Sequence, residues 1–179
     1  KGKKNPIGGH FDYGRQGTST TFILTQMLRE MEECYHVFLT PTGFGSVFLS
    51  IFSVVRPGDE ILVADPVYYP TRLLTEDFLK SFNIKTIFYD SRNLNTLKSK
   101  ITKKTKLIYV ENPGSNSFEF QDLSKIISLA KKYKLFTAID NTWATPYFLK
   151  PIKLGFDMSI VSATKYYSGH SDVMGGSLA

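Results

Sequence analysis

Apolar residues recur along this chain in two rhythms, and the rhythms alternate. Compact runs at Glu60–Ala64, Lys85–Tyr89, Lys106–Glu111, Phe136–Asp140 and Met158–Ser162 predict strands, with a shorter one at Val37–Thr40. Between them the apolar positions spread to helical spacing. Phe22, Leu24, Met27, Leu28 and Met31 predict an amphipathic helix over Thr20–Cys34. Further helices are predicted over Ser46–Val55, Tyr69–Phe82, Leu94–Ile101 and Asp122–Tyr133. Pro70 falls in the first turn of its helix, where a missing N–H costs little. Pro41–Gly45 and Arg56–Asp59 read as turns, and Gly175–Ala179 as the beginning of another strand. Leu107-Ile108-Tyr109-Val110 is apolar at every position, as in a strand covered on both faces. Strands alternating with helices predict an α/β domain, a mostly parallel sheet with helices on both faces. In such sheets ligands bind beyond the carboxyl ends of the strands. Thr42-Gly43, Asp65, Glu111-Asn112, Asp140 and Ser162 all fall there.

Composition narrows the class. The 179 residues are 42% hydrophobic and 21% charged, ordinary for one soluble globular domain. No apolar run approaches the ~20 residues of a membrane-spanning helix. Lys1–Pro6 is not followed by the apolar segment of a signal peptide, so the cytoplasm is the expected location. The net charge of +6 comes from lysine clusters that read as solvated faces. Without a nucleic-acid-reading motif beside them, no nucleic-acid partner is expected. The single cysteine, Cys34, has no internal disulfide partner and reads as a structural thiol at a helix end. No Cys/His spacing suggests a metal site. The chain does not begin with Met, and it reads as a piece of a longer protein.

Several residues invite chemistry. Lys165 follows Ser162-Ala163-Thr164 just beyond a predicted strand, a poor place for a merely solvated charge. A desolvated lysine can act as an amine nucleophile toward a carbonyl, and the Ser162 and Thr164 hydroxyls could donate to a neighbouring phosphate. Asp140 ends a largely apolar strand and needs a partner. It reads either as the carboxylate facing a protonated pyridine nitrogen or as a helix-capping residue. Thr42-Gly43-Phe44-Gly45 joins a strand to a helix, where backbone N–H groups can meet an anion, yet it is neither a complete dinucleotide fingerprint nor a Walker loop. Tyr68 reads as a ring that stacks on a flat cofactor or as a packed loop aromatic.

Taken in order, these pieces resemble one family. Tyr13-Gly14-Arg15 with Gly17-Thr18, the Gly43 turn, Tyr68, Glu111-Asn112-Pro113-Gly114-Ser115, Asp140-Asn141-Thr142-Trp143-Ala144, Ser162-Ala163-Thr164-Lys165-Tyr166 and Gly169-His170-Ser171-Asp172 follow the pattern of the Cys/Met-metabolism pyridoxal-phosphate enzymes. The resemblance covers essentially the whole chain. It implies the large domain of a fold-type I enzyme over residues 21–179, with residues 1–20 forming an arm that serves a neighbouring subunit. It further implies that Lys165 forms the Schiff base with pyridoxal 5'-phosphate and that Asp140 faces the ring nitrogen. Ser162, Thr164 and the backbone at Gly43 and Phe44 would cradle the phosphate, and Tyr68 would stack on the ring. Tyr13 and Arg15 would reach the neighbour's phosphate site, with Tyr13 helping to accept the substrate amine proton, and Lys165, Tyr13 and Tyr68 would form the catalytic set. His170 is read as a structural hydrogen-bonder.

Gly-Thr-x-Thr after Tyr-Gly-Arg, Pro-Gly-Ser after Glu111 and Asp-Asn-Thr-Trp-Ala are most similar to bacterial cystathionine β-lyases. Where many relatives carry Pro-Thr, Ser19-Thr20 stands here. Where many carry Thr-Pro-Thr-Asn-Pro, this chain has Asn112-Pro113-Gly114-Ser115-Asn116. The resemblance implies a carbon–sulfur lyase of methionine biosynthesis and transsulfuration. It would take a sulfur-containing amino-acid substrate and assemble as a dimer of dimers, a homotetramer. A further C-terminal domain, which supplies the arginine for the substrate carboxylate, is expected beyond this sequence. The alternatives are a γ-synthase, γ-lyase or methionine γ-lyase type of reaction, an inactive truncated remnant, and a nucleotide-binding module built on the Gly43 turn.

Overall fold

Every residue of β2 (Glu60–Ala64) is buried, although successive side chains of a strand point to opposite faces. Both faces of the sheet are therefore covered there, as the unbroken apolar runs predict. The computed structural model describes residues 14–179. It contains a seven-stranded sheet in the order β1-β7-β6-β5-β4-β2-β3. The strands are β1 (Phe38–Thr40), β2, β3 (Lys85–Tyr89), β4 (Thr105–Glu111), β5 (Phe136–Asp140), β6 (Met158–Val161) and β7 (Gly176–Leu178). Neighbours from β3 to β6 pair in parallel, whereas β7 runs antiparallel between β6 and β1.

The helices are α1 (Ser19–Glu32), α2 (Gly43–Val54), α3 (Tyr69–Leu73), α4 (Leu79–Ser81), α5 (Leu94–Ser99), α6 (Leu123–Tyr133), α7 (Thr145–Phe148) and α8 (Pro151–Leu154). A π-helical stretch, Leu74–Phe78, joins α3 to α4, so the single helix expected over Tyr69–Phe82 changes winding midway. Thr18 opens α1 with a reciprocal capping pair to Thr21, and Asp122 caps α6 through the Lys125 N–H. Because α1 starts at Ser19, the expected boundary between arm and domain at residue 20 falls inside its first turn.

Two further expectations shift. Helix α2 begins at Gly43 rather than Ser46, because the Thr42 side chain accepts the Gly45 N–H and starts the helix there. The short helices α7 and α8 were not legible as periodic segments. The core runs through Ile61, Leu62, Val63, Leu107, Ile108, Val110, Ile139 and Ile160, with Ile51 of α2 and Ile126 of α6 packed on it. Each such side chain contributes about 1.5–3 kcal/mol by leaving water. On α1 only Leu28 and Glu32 are buried, while Leu24, Met27 and Met31 are exposed. Apart from Leu28 and the half-buried Phe22, the apolar stripe predicted for that helix thus faces outward in the isolated chain. No helix of the described residues is long and apolar enough to cross a membrane.

Candidate active site

Four strands deliver the site with their carboxyl ends. β4 ends on Glu111 and β5 on Asp140, and the two are register partners on adjacent strands. β6 runs into Ser162-Ala163-Thr164-Lys165, and β1 runs through Thr42 into the first turn of α2. Together they line a cleft of ≈ 410 Å³ that contains Gly43, Phe44, Tyr68, Glu111, Asp140, Thr142, Trp143, Ser162, Thr164, Lys165, Tyr166 and Met174. Seven of the residues singled out from the sequence meet here: Gly43, Phe44, Tyr68, Asp140, Ser162, Thr164 and Lys165. Arg15 lies in a 3-10 turn ahead of α1 and is not among the lining residues. Tyr13 lies outside the described residues.

Gly43 stands where it does for a steric reason. A Cβ on it would sit 2.5 Å from the Ser162 Cβ and 2.9 Å from the Ser162 Cα. No side chain fits, so the first turn of α2 presses directly against the segment that carries Lys165. By position the Gly43 and Phe44 N–H groups of that turn have no partner within the helix and can cradle an anion, while the Gly45 N–H is taken by the Thr42 hydroxyl. The backbone N–H of Ser162 donates to the Thr142 hydroxyl at 2.8 Å, tying the end of β6 to the end of β5. The Thr164 hydroxyl is engaged with the backbone of Gly175, donating to its carbonyl at 3.2 Å and accepting its N–H at 3.1 Å. His170 bonds locally through Nδ1 to the Ser168 carbonyl.

Asp140 does not cap the next helix, whose N-cap is Ala144. Its Oδ1 instead accepts the Thr142 N–H at 3.0 Å. Burial pushes the Asp140 carboxyl above its ordinary range, while its bonds from Thr142 and the charge of Lys165 oppose the rise. Glu111 is pushed up to about 8, first by burial and then by Asp140 beside it. Two acids and one amine therefore share the cleft floor and wall, and the balance favours a cationic ligand group against Asp140. Trp143 and Tyr166 stand 6.5 Å apart, and Phe118 meets Trp143 edge-on at 6.1 Å. The sequence places Glu111 at a strand end and Trp143 and Tyr166 within the family pattern but gives none of them a role, and it does not single out Phe118. Their position just after strand ends was the available signal. Among the described residues no cluster of His, Cys, Asp or Glu could hold a metal ion.

This arrangement fits a flat, anionic, aldehyde-bearing cofactor with a basic ring nitrogen. The helix turn and hydroxyls suit a phosphate, Asp140 suits the nitrogen, Tyr68 suits the ring face and Lys165 suits the carbonyl. The comparisons with known proteins point the same way. The model of the Cys/Met metabolism PLP-dependent enzymes matches residues 2–179. A cystathionine β-lyase of Bordetella avium is 36% identical over 166 residues, 93% of this chain and 41% of the relative. A structure of cystathionine γ-lyase from Lactobacillus plantarum, complexed with L-serine, superposes with a TM-score of 0.89 at 31% identity, over 100% of this chain and 47% of that one. A Campylobacter jejuni structure assigned to O-acetylhomoserine (thiol)-lyase, which contains a pyridoxyl-lysine phosphate, gives 0.88 at 31% identity, over 93% and 41%. The chain spans less than half the length of the curated relatives it matches. With its fold-type I sheet, its cleft and a family match along nearly all its length, the chain belongs to the Cys/Met-metabolism enzymes that depend on pyridoxal 5'-phosphate.

Proposed function

We propose that this chain is the cofactor-binding part of a carbon–sulfur lyase that cleaves cystathionine by β-elimination to homocysteine, pyruvate and ammonia, in methionine biosynthesis. The observation that carries the reading is the convergence of Lys165, Asp140, Ser162, Thr164 and the Gly43 turn on one cleft. The β-lyase name of the Bordetella avium relative favours this branch. The γ-lyase name of the Lactobacillus plantarum structure favours a second reading, γ-elimination on the same machinery. Product analysis of the whole protein separates them: pyruvate for β-cleavage and 2-oxobutyrate for γ-cleavage.

Pyridoxal phosphate, when bound, supplies an electron sink that acidifies the substrate Cα–H. The chain's residues prepare that chemistry. Lys165 would hold the cofactor through its carbonyl, and its amine, when free, would serve as the base over the cleft. Asp140 keeps a negative charge where a protonated ring nitrogen would lie, inside a floor of low dielectric. The first turn of α2, with Ser162 and Thr164, provides donors for the phosphate. For Thr164 this requires its hydroxyl to turn from the Gly175 carbonyl. Tyr68, which lines the cleft, would cover one face of the ring. Arg15 and Tyr13 serve a neighbouring subunit's phosphate site, in a dimer of dimers located in the cytoplasm. The test is borohydride trapping of the chain with pyridoxal phosphate beside its Lys165→Ala variant. The parent is expected to turn yellow and to retain a reduced adduct mapped to Lys165, and the variant to lose both. An equal adduct on the variant would remove Lys165 from its role.

A further inference from the structure

Glu111 has no task in the reading above, yet it is tied to two residues that do. It closes β4 beside Asp140 of β5. Its Oε2 accepts the backbone N–H of Tyr68 at 2.6 Å, from a residue 43 positions away in the chain. The next contact is of the same kind, since the Ser115 N–H donates to the Pro66 carbonyl at 2.6 Å. The segment after β4 thus grips the segment after β2 at two points close together. Tyr68 itself opens α3 without a side-chain capping bond, and its ring is half exposed at the cleft.

We infer that Glu111 is a positioning residue: its carboxyl holds the Tyr68 peptide so that the Tyr68 ring lies over the cleft, and it leaves Asp140 as the carboxylate that faces the ligand. Two carboxylates on adjacent strands in a water-poor floor repel, so the pair retains one proton. Asp140 is the better seat for the charge, because it accepts the Thr142 N–H and feels the charge of Lys165. Glu111, pushed up to about 8, carries the proton at neutral pH. In that form it still accepts the Tyr68 N–H through its carbonyl oxygen and can donate toward Ser115. The titratable groups that face the pair are Tyr109, buried on β4 between their influences, and Lys165 from the segment after β6.

The inference rests on the cofactor reading, and its test separates the two. Trp143 is the only tryptophan of the chain and lines the cleft, so its emission reports occupancy. The parent chain, Glu111→Gln, Glu111→Ala, Tyr68→Ala and the Tyr68→Ala/Glu111→Ala double variant are titrated with pyridoxal phosphate. Glu111→Gln keeps an acceptor for the Tyr68 N–H without a charge, and binds within about twofold of the parent. Glu111→Ala binds about tenfold more weakly, the weight of one lost buried hydrogen bond. On the Tyr68→Ala background Glu111→Ala adds little, because the ring it positions is gone. Parental binding by Glu111→Ala, or a Gln variant as weak as the Ala variant, overturns the inference. So do losses that simply add in the double variant. If Glu111→Ala unfolds, Glu111→Gln decides beside Glu111→Leu: the Gln variant is expected to keep near-parental affinity and the Leu variant, which offers the Tyr68 N–H no acceptor, to bind about tenfold more weakly, and equal affinities overturn the inference. A parent chain that binds nothing overturns the cofactor reading itself and the inference with it.

Discussion

Two acidic side chains are pushed far from their ordinary range, in regions that differ in almost everything else. Glu32 ends α1 and is 1% exposed, wedged against β6, where its Oε1 accepts the Ser159 hydroxyl at 3.2 Å. Burial drives it up to about 7, with Ser159, Tyr167 and Lys150 holding the rise back. Glu111 rises to about 8 for the same leading reason, with Asp140 adding to it. The region around Glu32 is sealed by hydroxyl-bearing residues, whereas Glu111 opens on a cleft shared with an amine, a second acid and a helix turn. A displaced carboxyl therefore marks burial. A site is marked by convergent groups around a space a ligand can enter.

The contrast can be broken most forcefully at Asp140. Replacing it with Ala is expected to weaken pyridoxal phosphate binding by ~30-fold or more, since a desolvated charge partner is worth about 2–5 kcal/mol. Trp143 emission measures it, and unchanged affinity would place the ligand elsewhere. Glu32→Gln comes next and acts on stability alone. The folded chain prefers Glu32 protonated, so its stabilising effect is complete below the ordinary carboxyl range. It is lost as pH rises from 4.5 to about 7. Over that window the parent should lose ~3 kcal/mol more than the Gln variant in urea unfolding, with the same cofactor affinity. Parallel stability profiles would show that Glu32 is better solvated than its burial implies. Ser159→Ala has the smallest effect, ~1 kcal/mol, from one lost hydroxyl donor. The loss should be larger above pH 7, where Glu32 is charged, and a loss independent of pH would assign it to packing.

Much of this was legible in the sequence, for identifiable reasons. β2, β3 and β5 fall on their predicted bounds because each carries a compact apolar run that stops sharply at Asp65, Asp90 and Asn141, although of the three only β2 is buried at every position. The strand-end rule and the family pattern together pointed to Lys165, Asp140 and Ser162. What stayed hidden depends on contacts between distant segments. Glutamate on an amphipathic helix reads as solvated, and nothing local says that α1 turns Glu32 inward. The Gly43 turn read as a possible anion loop, but only the packed Ser162 backbone shows why no side chain is tolerated there. The bond from Glu111 to the Tyr68 peptide joins two loops that no periodicity connects. The apolar face of α1 misled in the opposite sense, because amphipathic spacing says that a stripe wants cover and not which surface covers it.

The place of β7 in the sheet has a consequence for how the chain comes into being. Among the described residues β1 is the first strand in chain order, yet it pairs with β7, the last of them, which also pairs with β6. Until β7 has emerged from the ribosome, β1 lacks that neighbour, and the Gly43 turn has no fixed relation to Ser162. The arrival of a three-residue strand closes the gap, and the Gly175 bonds to Thr164 fasten the Lys165 turn in the same event. Such late, long-range closure is slow by nature. The cofactor cradle should therefore be among the last parts of this domain to mature, and early folding intermediates should be blind to the vitamin-derived ligand that the finished cleft is shaped to hold.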